Sequence, residues 1–183
     1  MQQAIVIHPS HPSYGTIKFS MATKLSDVIA LALEDLKLAE GNRQYKIDMG
    51  DFHSPFEFDE AYDAKEDKDV KCAVCFAGSV MAFTLGAQLT DEKTPGDYDD
   101  VTRRKLEAID EIRTGDVVSA LQTFSGYKPE SYEHNVTHAD RKAAEWIDAN
   151  SGVCSAMPDY ADDAEDFKDK MEVLIALMRY KGL

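Results

Sequence analysis

The chain has few of the residues that staple a fold, break it, or charge it positively. Only three of its 183 residues are cysteine. An odd and small number rules out a disulfide framework and is expected of a reducing compartment. Six prolines and ten glycines are too few for a collagenous or low-complexity chain. No apolar run approaches the ~20 residues that cross a bilayer as a helix. The opening Met1-Gln2-Gln3-Ala4-Ile5-Val6-Ile7-His8-Pro9 has neither a basic start nor a long apolar stretch, so no export signal is expected. Lys and Arg number 20 against 34 Asp and Glu, a net charge of −14. That balance disfavours binding to nucleic-acid phosphates or to an anionic membrane. It leaves either a solvated surface or an acidic one that docks onto a basic partner.

What is present is a globular pattern. Apolar residues make up 44% of the chain, enough for one core, and no linker divides it, so residues 1–183 read as a single domain. Ala4-Ile5-Val6-Ile7 and Thr16-Ile17-Lys18-Phe19, joined by a turn-rich link, predict a small N-terminal β-hairpin. Thr23 is placed to cap a helix that ends at Gly41-Asn42, with Leu25, Val28, Ile29, Ala32 and Leu36 on its inner face. Tyr45 to Asp48 reads as extended. From about Asp69 to Leu85 the chain is apolar on every side, which predicts a central buried helix ended by Gly86. Further helices are expected over 98–113, with Val101, Leu106, Ile109 and Ile112 inward, over 114–124, and from Thr137. A last helix over 160–180 carries Tyr160, Ala164, Phe167, Met171, Leu174 and Met178 at spacings of four and three. The fold class is mainly α within α+β: five or six helices around a central apolar one, with the hairpin at the N-terminus.

Cys72-x-x-Cys75, inside the apolar segment, has four readings. The favoured one is packing, because free cysteine behaves as a small apolar residue. A zinc site would take His53, Cys72, Cys75 and Cys154 as ligands. Thiol–disulfide exchange fits the spacing but lacks a surrounding βαβ pattern. Nucleophilic catalysis would use Cys72 at the first turn of a helix, His53 as base, and Asp51 or Asp48 to orient it. Ala77-Gly78-Ser79 has a separate meaning. Three small residues on a buried helix admit a neighbouring backbone, and the run Asp48-Met49-Gly50-Asp51-Phe52-His53-Ser54-Pro55 is the candidate. In that arrangement His53 is a core histidine with its ring nitrogens satisfied. No cofactor is implied.

Two acidic loops flank the cysteine segment. The first holds Glu57, Asp59, Glu60, Asp63, Glu66 and Asp67, with Phe56, Phe58 and Tyr62 interleaved as apolar anchors. The second holds Asp97, Asp99 and Asp100. Asp159, Asp162, Asp163, Glu165 and Asp166 at the start of the last helix extend the same charge. The spacing of Asp63, Asp67 and Asp69 does not fit an EF-hand.

The Asp48–Pro55 run, followed by Cys72-Ala73-Val74-Cys75-Phe76-Ala77-Gly78-Ser79-Val80-Met81-Ala82, resembles small uncharacterised proteins encoded by tailed phages and prophages, over about the middle third of the chain. The resemblance carries no catalytic residue. It implies a protein made in the cytoplasm of an infected bacterium, and small acidic phage proteins are often host-takeover or anti-defence factors. The expected function is therefore a non-enzymatic acidic binding protein, a modulator or inhibitor of a host defence protein that acts by occlusion through the acidic loops. The alternatives are a cysteine-dependent enzyme or small zinc protein built on His53, Cys72 and Cys75, and a virion assembly component.

Overall fold

The computed structural model describes residues 19–114, Tyr160 and residues 164–182. About half of these residues are helical, and a small three-stranded sheet makes the class α+β. Helix α1 spans Leu25–Glu40, and the predicted inner face is buried throughout. Thr23 does not cap it. The Thr23 hydroxyl instead accepts the Ser20 N–H at 3.0 Å, and the N-cap position falls to Lys24, which makes no side-chain cap bond. At the other end the Gly41 N–H bonds to the Lys37 carbonyl and closes the last turn, as Gly41-Asn42 predicts.

Strand β1 (Tyr45–Ile47) leads through a turn to β2 (His53–Pro55). A long excursion containing a short 3-10 helix, Lys65–Asp69, then returns the chain as β3, Cys72–Val74. The sheet order is β1-β3-β2, with β1 parallel and β2 antiparallel to the middle strand. The continuous helix expected over 69–85 is therefore corrected: β3 comes first, and helix α2 covers only Phe76–Ala82. All three residues of β3 are buried, because a central strand is covered on both faces. An apolar run with no polar face has no period that would separate such a strand from a buried helix.

Cys75 marks the junction. Its backbone is extended, and its thiol accepts the Gly78 N–H at 3.3 Å as the cap of α2. All seven residues of α2 are buried, so the central role predicted for the segment falls to this short helix, packed on α1, α3, β2 and β3. The small residues do what their size allows. A Cβ on Gly78 would lie 1.5 Å from the Phe52 carbonyl oxygen, so the Asp48–Pro55 backbone does press on this helix. The same oxygen accepts the Cys75 N–H at 3.1 Å. Ser79 turns its hydroxyl to the Phe76 carbonyl at 2.7 Å and lies 3.4 Å from the Ala32 carbonyl of α1. The helix ends at Ala82 with Phe83 as its C-cap, ahead of the Gly86 stop expected from the sequence, and the φ of 73° at Gly86 suits glycine.

Helix α3 runs Asp100–Thr114, with Leu106 and Ile109 buried as predicted. Helix α4 runs Ala164–Lys181, and Phe167, Met171, Leu174 and Met178 are buried in one stripe. It lies antiparallel to α1. The ion pairs Asp27–Arg179 (3.5 Å), Lys37–Glu172 (3.1 Å) and Glu40–Lys168 (3.2 Å) ascend one helix and descend the other. Surface pairs of this kind contribute ~0–1 kcal/mol each, whereas a fully buried large apolar side chain contributes ~1.5–3 kcal/mol. The seam is thus held mainly by its apolar side chains, with Phe167 edge-on to Phe76 at 5.5 Å.

Four α-helices stand among the described residues, against the five or six expected. The helices predicted over 114–124 and from Thr137 fall outside the described residues beyond Thr114. So does the N-terminal hairpin except for Phe19, which is buried in the core.

Gly78→Ala tests the close approach. Helix propensity alone would favour alanine by ~1 kcal/mol. The clash with a backbone carbonyl should override this, for a net loss of ~2–3 kcal/mol read from the urea midpoint. An unchanged or raised midpoint would show that the two segments are free to separate.

Candidate functional site

The register of the sheet brings His53 and Cys72 together. His53 lies opposite Val74, and Pro55 lies opposite Cys72. Residues two apart on a strand share a face, so His53, Val74 and Cys72 project the same way. Tyr45 and Ile47 of β1 join them through the parallel pairing. Ala39 of α1 and Ala82 of α2 close over this face, with half-buried Phe83 and Leu89 at its margin. His53 and Cys72 are both fully buried.

His53 Nδ1 lies 2.7 Å from the Asp91 carbonyl oxygen. A carbonyl only accepts, so the ring proton is on Nδ1 and Nε2 carries the lone pair. The Cys72 sulfur is 3.5 Å from Nε2 and 3.6 Å from Nδ1. A sulfur almost equidistant from both nitrogens sits over the ring, off the in-plane axis of the Nε2 lone pair, so the S–H···N bond is weak. Burial pushes the Cys72 thiol up to about 11; a backbone hydrogen bond from Ser54 opposes the rise and the Asp91 charge adds to it. Burial also lowers the His53 pKa, against the pull of its bond to the Asp91 carbonyl. At neutral pH the pair is a neutral thiol beside a neutral imidazole.

A cysteine nucleophile requires a thiolate and a path for substrate. This pair offers neither. Three predicted features of the catalytic arrangement are corrected. Cys72 sits on a strand, and the cysteine at the helix start is Cys75. Asp48 is exposed and accepts the Gly50 N–H at 2.8 Å, and Asp51 is also exposed; neither hydrogen-bonds His53. The group that orients the imidazole is the Asp91 main chain, which no side-chain motif announces. Of the alternative in which His53 is a core histidine with both nitrogens satisfied, the burial and the Nδ1 bond to the Asp91 carbonyl match, while Nε2 has only the Cys72 sulfur near it. As metal ligands the same residues do not converge. Cys75 is committed to its cap, and no group of three His, Cys, Asp or Glu among the described residues is arranged to hold an ion. Cys154 lies outside the described residues.

The acidic loops divide into residues that shape the backbone and residues that face water. In the first loop the Ala61 N–H bonds to Asp59 Oδ1 and the Asp59 N–H bonds to Asp63 Oδ2, both at 2.8 Å. The Tyr62 and Asp63 N–H groups return to the Asp59 carbonyl. These bonds close a tight turn with Tyr62 on its outside, 88% exposed. Asp67 pairs with Lys46 at 2.6 Å, and the same ammonium stands 5.1 Å from the centre of the Phe56 ring. Phe56 and Phe58 are half-buried, so of the three proposed aromatic anchors only Tyr62 is fully presented. Glu57, Glu60 and Glu66 are exposed and make no hydrogen bond or ion pair among the described residues.

In the second loop every predicted carboxylate has a structural task. Asp97 accepts the Thr94 N–H (2.8 Å) and hydroxyl (3.1 Å), a capping box that lowers its pKa. Asp99 caps α3 through the Val101 and Thr102 N–H groups, both at 3.1 Å. Asp100 pairs with Arg103 at 3.0 Å.

Two buried polar contacts escaped the sequence reading. Asp35 and Thr84 are both buried, and the Thr84 hydroxyl donates to Asp35 Oδ2 at 2.6 Å. Buried Lys105 donates to the Thr23 carbonyl at 2.7 Å, and burial lowers its pKa. A signal existed for Asp35, which falls at helical spacing between Ala32 and Ala39 on the apolar face.

No protein-family model, no curated protein and no solved structure matches this chain.

The closed thiol gives a direct expectation. Alkylation of Cys72 at pH 8, followed by mass spectrometry, should run ~100-fold or more slower in the native chain than in urea, because reaction waits on an opening of the fold. Native labelling at the rate of an exposed thiol would restore the catalytic reading.

Proposed function

We propose that the protein acts by binding: it is a non-enzymatic acidic protein whose loop over 57–71 docks on a basic surface of a partner protein and occludes it. The observation that carries this reading is Tyr62, 88% exposed on a turn that Asp59 and Asp63 hold in shape. Aromatic side chains presented on ordered backbone supply binding energy at low entropic cost. Unpaired Glu57, Glu60 and Glu66 in the same loop supply the charge that steers encounter with a basic partner. The Lys46–Asp67 ion pair ties the far end of the loop to β1. We place the partner among the defence proteins of a bacterial host and the protein, as a phage-encoded modulator, in the host cytoplasm, on the resemblance noted from the sequence. Helices over 114–124 and from Thr137 would complete the supporting bundle to five or six.

The reading is tested with the intact chain as bait on bacterial lysate, followed by binding kinetics with the captured protein. Tyr62→Ala should keep its stability within ~0.5 kcal/mol, since the side chain covers nothing. It should lose about tenfold or more in affinity, the effect of removing an interface anchor. Replacing Glu57, Glu60 and Glu66 together by Gln should slow association and flatten its salt dependence. A partner indifferent to both changes would rule out this loop as the working surface.

A further inference from the structure

We propose that His53 is a proton-operated latch that holds residues 91–93 against the outer edge of β2 and lets them go in acid. Among the described residues, the hydrogen bonds that tie Asp91-Glu92-Lys93 to the sheet both belong to His53. Its ring Nδ1 donates to the Asp91 carbonyl at 2.7 Å, and its own carbonyl accepts the Lys93 N–H at 2.9 Å. Lys93 and His53 form an isolated antiparallel bridge, so this strap covers the β2 edge as a rudimentary fourth strand. Covering an edge in this way hides a row of backbone groups that would otherwise be open to another strand.

The latch is loaded by what surrounds the ring. From β3, the Cys72 thiol lies over the ring, 3.5 Å from Nε2 and 3.6 Å from Nδ1. From β1, Tyr45 stands behind that thiol as its register partner. From the strap, the Asp91 carboxylate favours a charged ring and Lys93 disfavours it, and Asp91 already accepts the Gln88 N–H at 3.0 Å. The flanking helices bring alanines, Ala39 and Ala82. A proton on Nε2 would therefore sit in a fully buried, largely apolar site, away from water. The Nδ1 bond to Asp91 survives protonation, so the whole cost falls on the unhydrated Nε2–H. The strap is held to β2 by two bonds over three residues, and its departure would open a path for the imidazole to reach water.

The sign follows from the lowered His53 pKa in the closed form. Above the ordinary histidine value of ~6.5 both forms are neutral and the strap stays closed. Below ~6.5 the open form takes up a proton that the closed form resists. The open population then rises by up to about tenfold per pH unit until the closed-form pKa is reached.

Native-state hydrogen exchange on the full chain from about pH 7.5 to 5, corrected for intrinsic rates, reads this directly. Protection of the Lys93 N–H should fall by up to about tenfold per unit below ~6.5 while Leu33 and Leu36 in α1 keep theirs. In His53→Asn the side-chain amide still presents a donor toward Asp91 but does not titrate, so the Lys93 profile should be flat. Where that variant does not fold, the ring Cε1–H signal of the unaltered protein is followed instead, and its titration midpoint must lie below ~6.5, at the pH where the fall in Lys93 protection levels off. Constant protection of Lys93, a loss shared with α1, or an unchanged slope in His53→Asn would overturn the proposal.

Discussion

The approach of the Phe52 carbonyl to Gly78 is the contact on which the rest of this structure depends. One oxygen both accepts the Cys75 N–H and lies where a Gly78 side chain would be. It therefore sets the distance between the start of β2 and the first turn of α2. Everything downstream inherits that distance. β2 pairs with β3 in a register that places His53 beside Cys72, and α2 is drawn far enough in for all seven of its residues to be buried. Ser79 extends the same logic to α1, where a small side chain allows its hydroxyl to approach the Ala32 carbonyl.

Around that contact the protein handles polar groups in two distinct ways. Inside, Asp35 is paired with Thr84, Lys105 with the Thr23 carbonyl, and His53 with the Asp91 carbonyl. These pairs contribute modest net stability, but leaving any one unpaired would cost its desolvation, so they discriminate strongly against alternative packings. Outside, the large excess of carboxylates is less idle than a net charge of −14 implies. Asp59, Asp63, Asp97 and Asp99 are turn and cap residues, and Asp67 and Asp100 are in ion pairs. Exposed to solvent in the first loop are Glu57, Glu60 and Glu66, with the presented Tyr62.

That division bears on chemistry. The cysteine pair has the spacing of a reactive motif, but its two thiols are used in unrelated ways. Cys75 spends its lone pair on a helix cap, and Cys72 fills a small core beside a neutral imidazole. An imidazole and a thiol in proximity are chemically poised only where the thiolate is stabilised, and burial in apolar surroundings does the reverse. The same burial makes His53 sensitive to protons, since a ring that is comfortable neutral is uncomfortable charged.

The sequence by itself determined the elements whose hydrophobic period is written in one stretch of chain. α1 and α4 are helices because their apolar residues recur every three or four positions, and their inner faces are the ones that period selects. It also determined that Gly78 needed a neighbour too close for a side chain. Tertiary structure alone decided the rest. The apolar run from Cys72 to Ala82 has no polar face to reveal its period, so only pairing with two other strands makes its first part β. The surroundings of His53 come from residues 19 and 38 positions away, one of them through a main-chain carbonyl that every amino acid has. A group common to all residues leaves no mark in a sequence, and its placement is known only once the chain has folded around it.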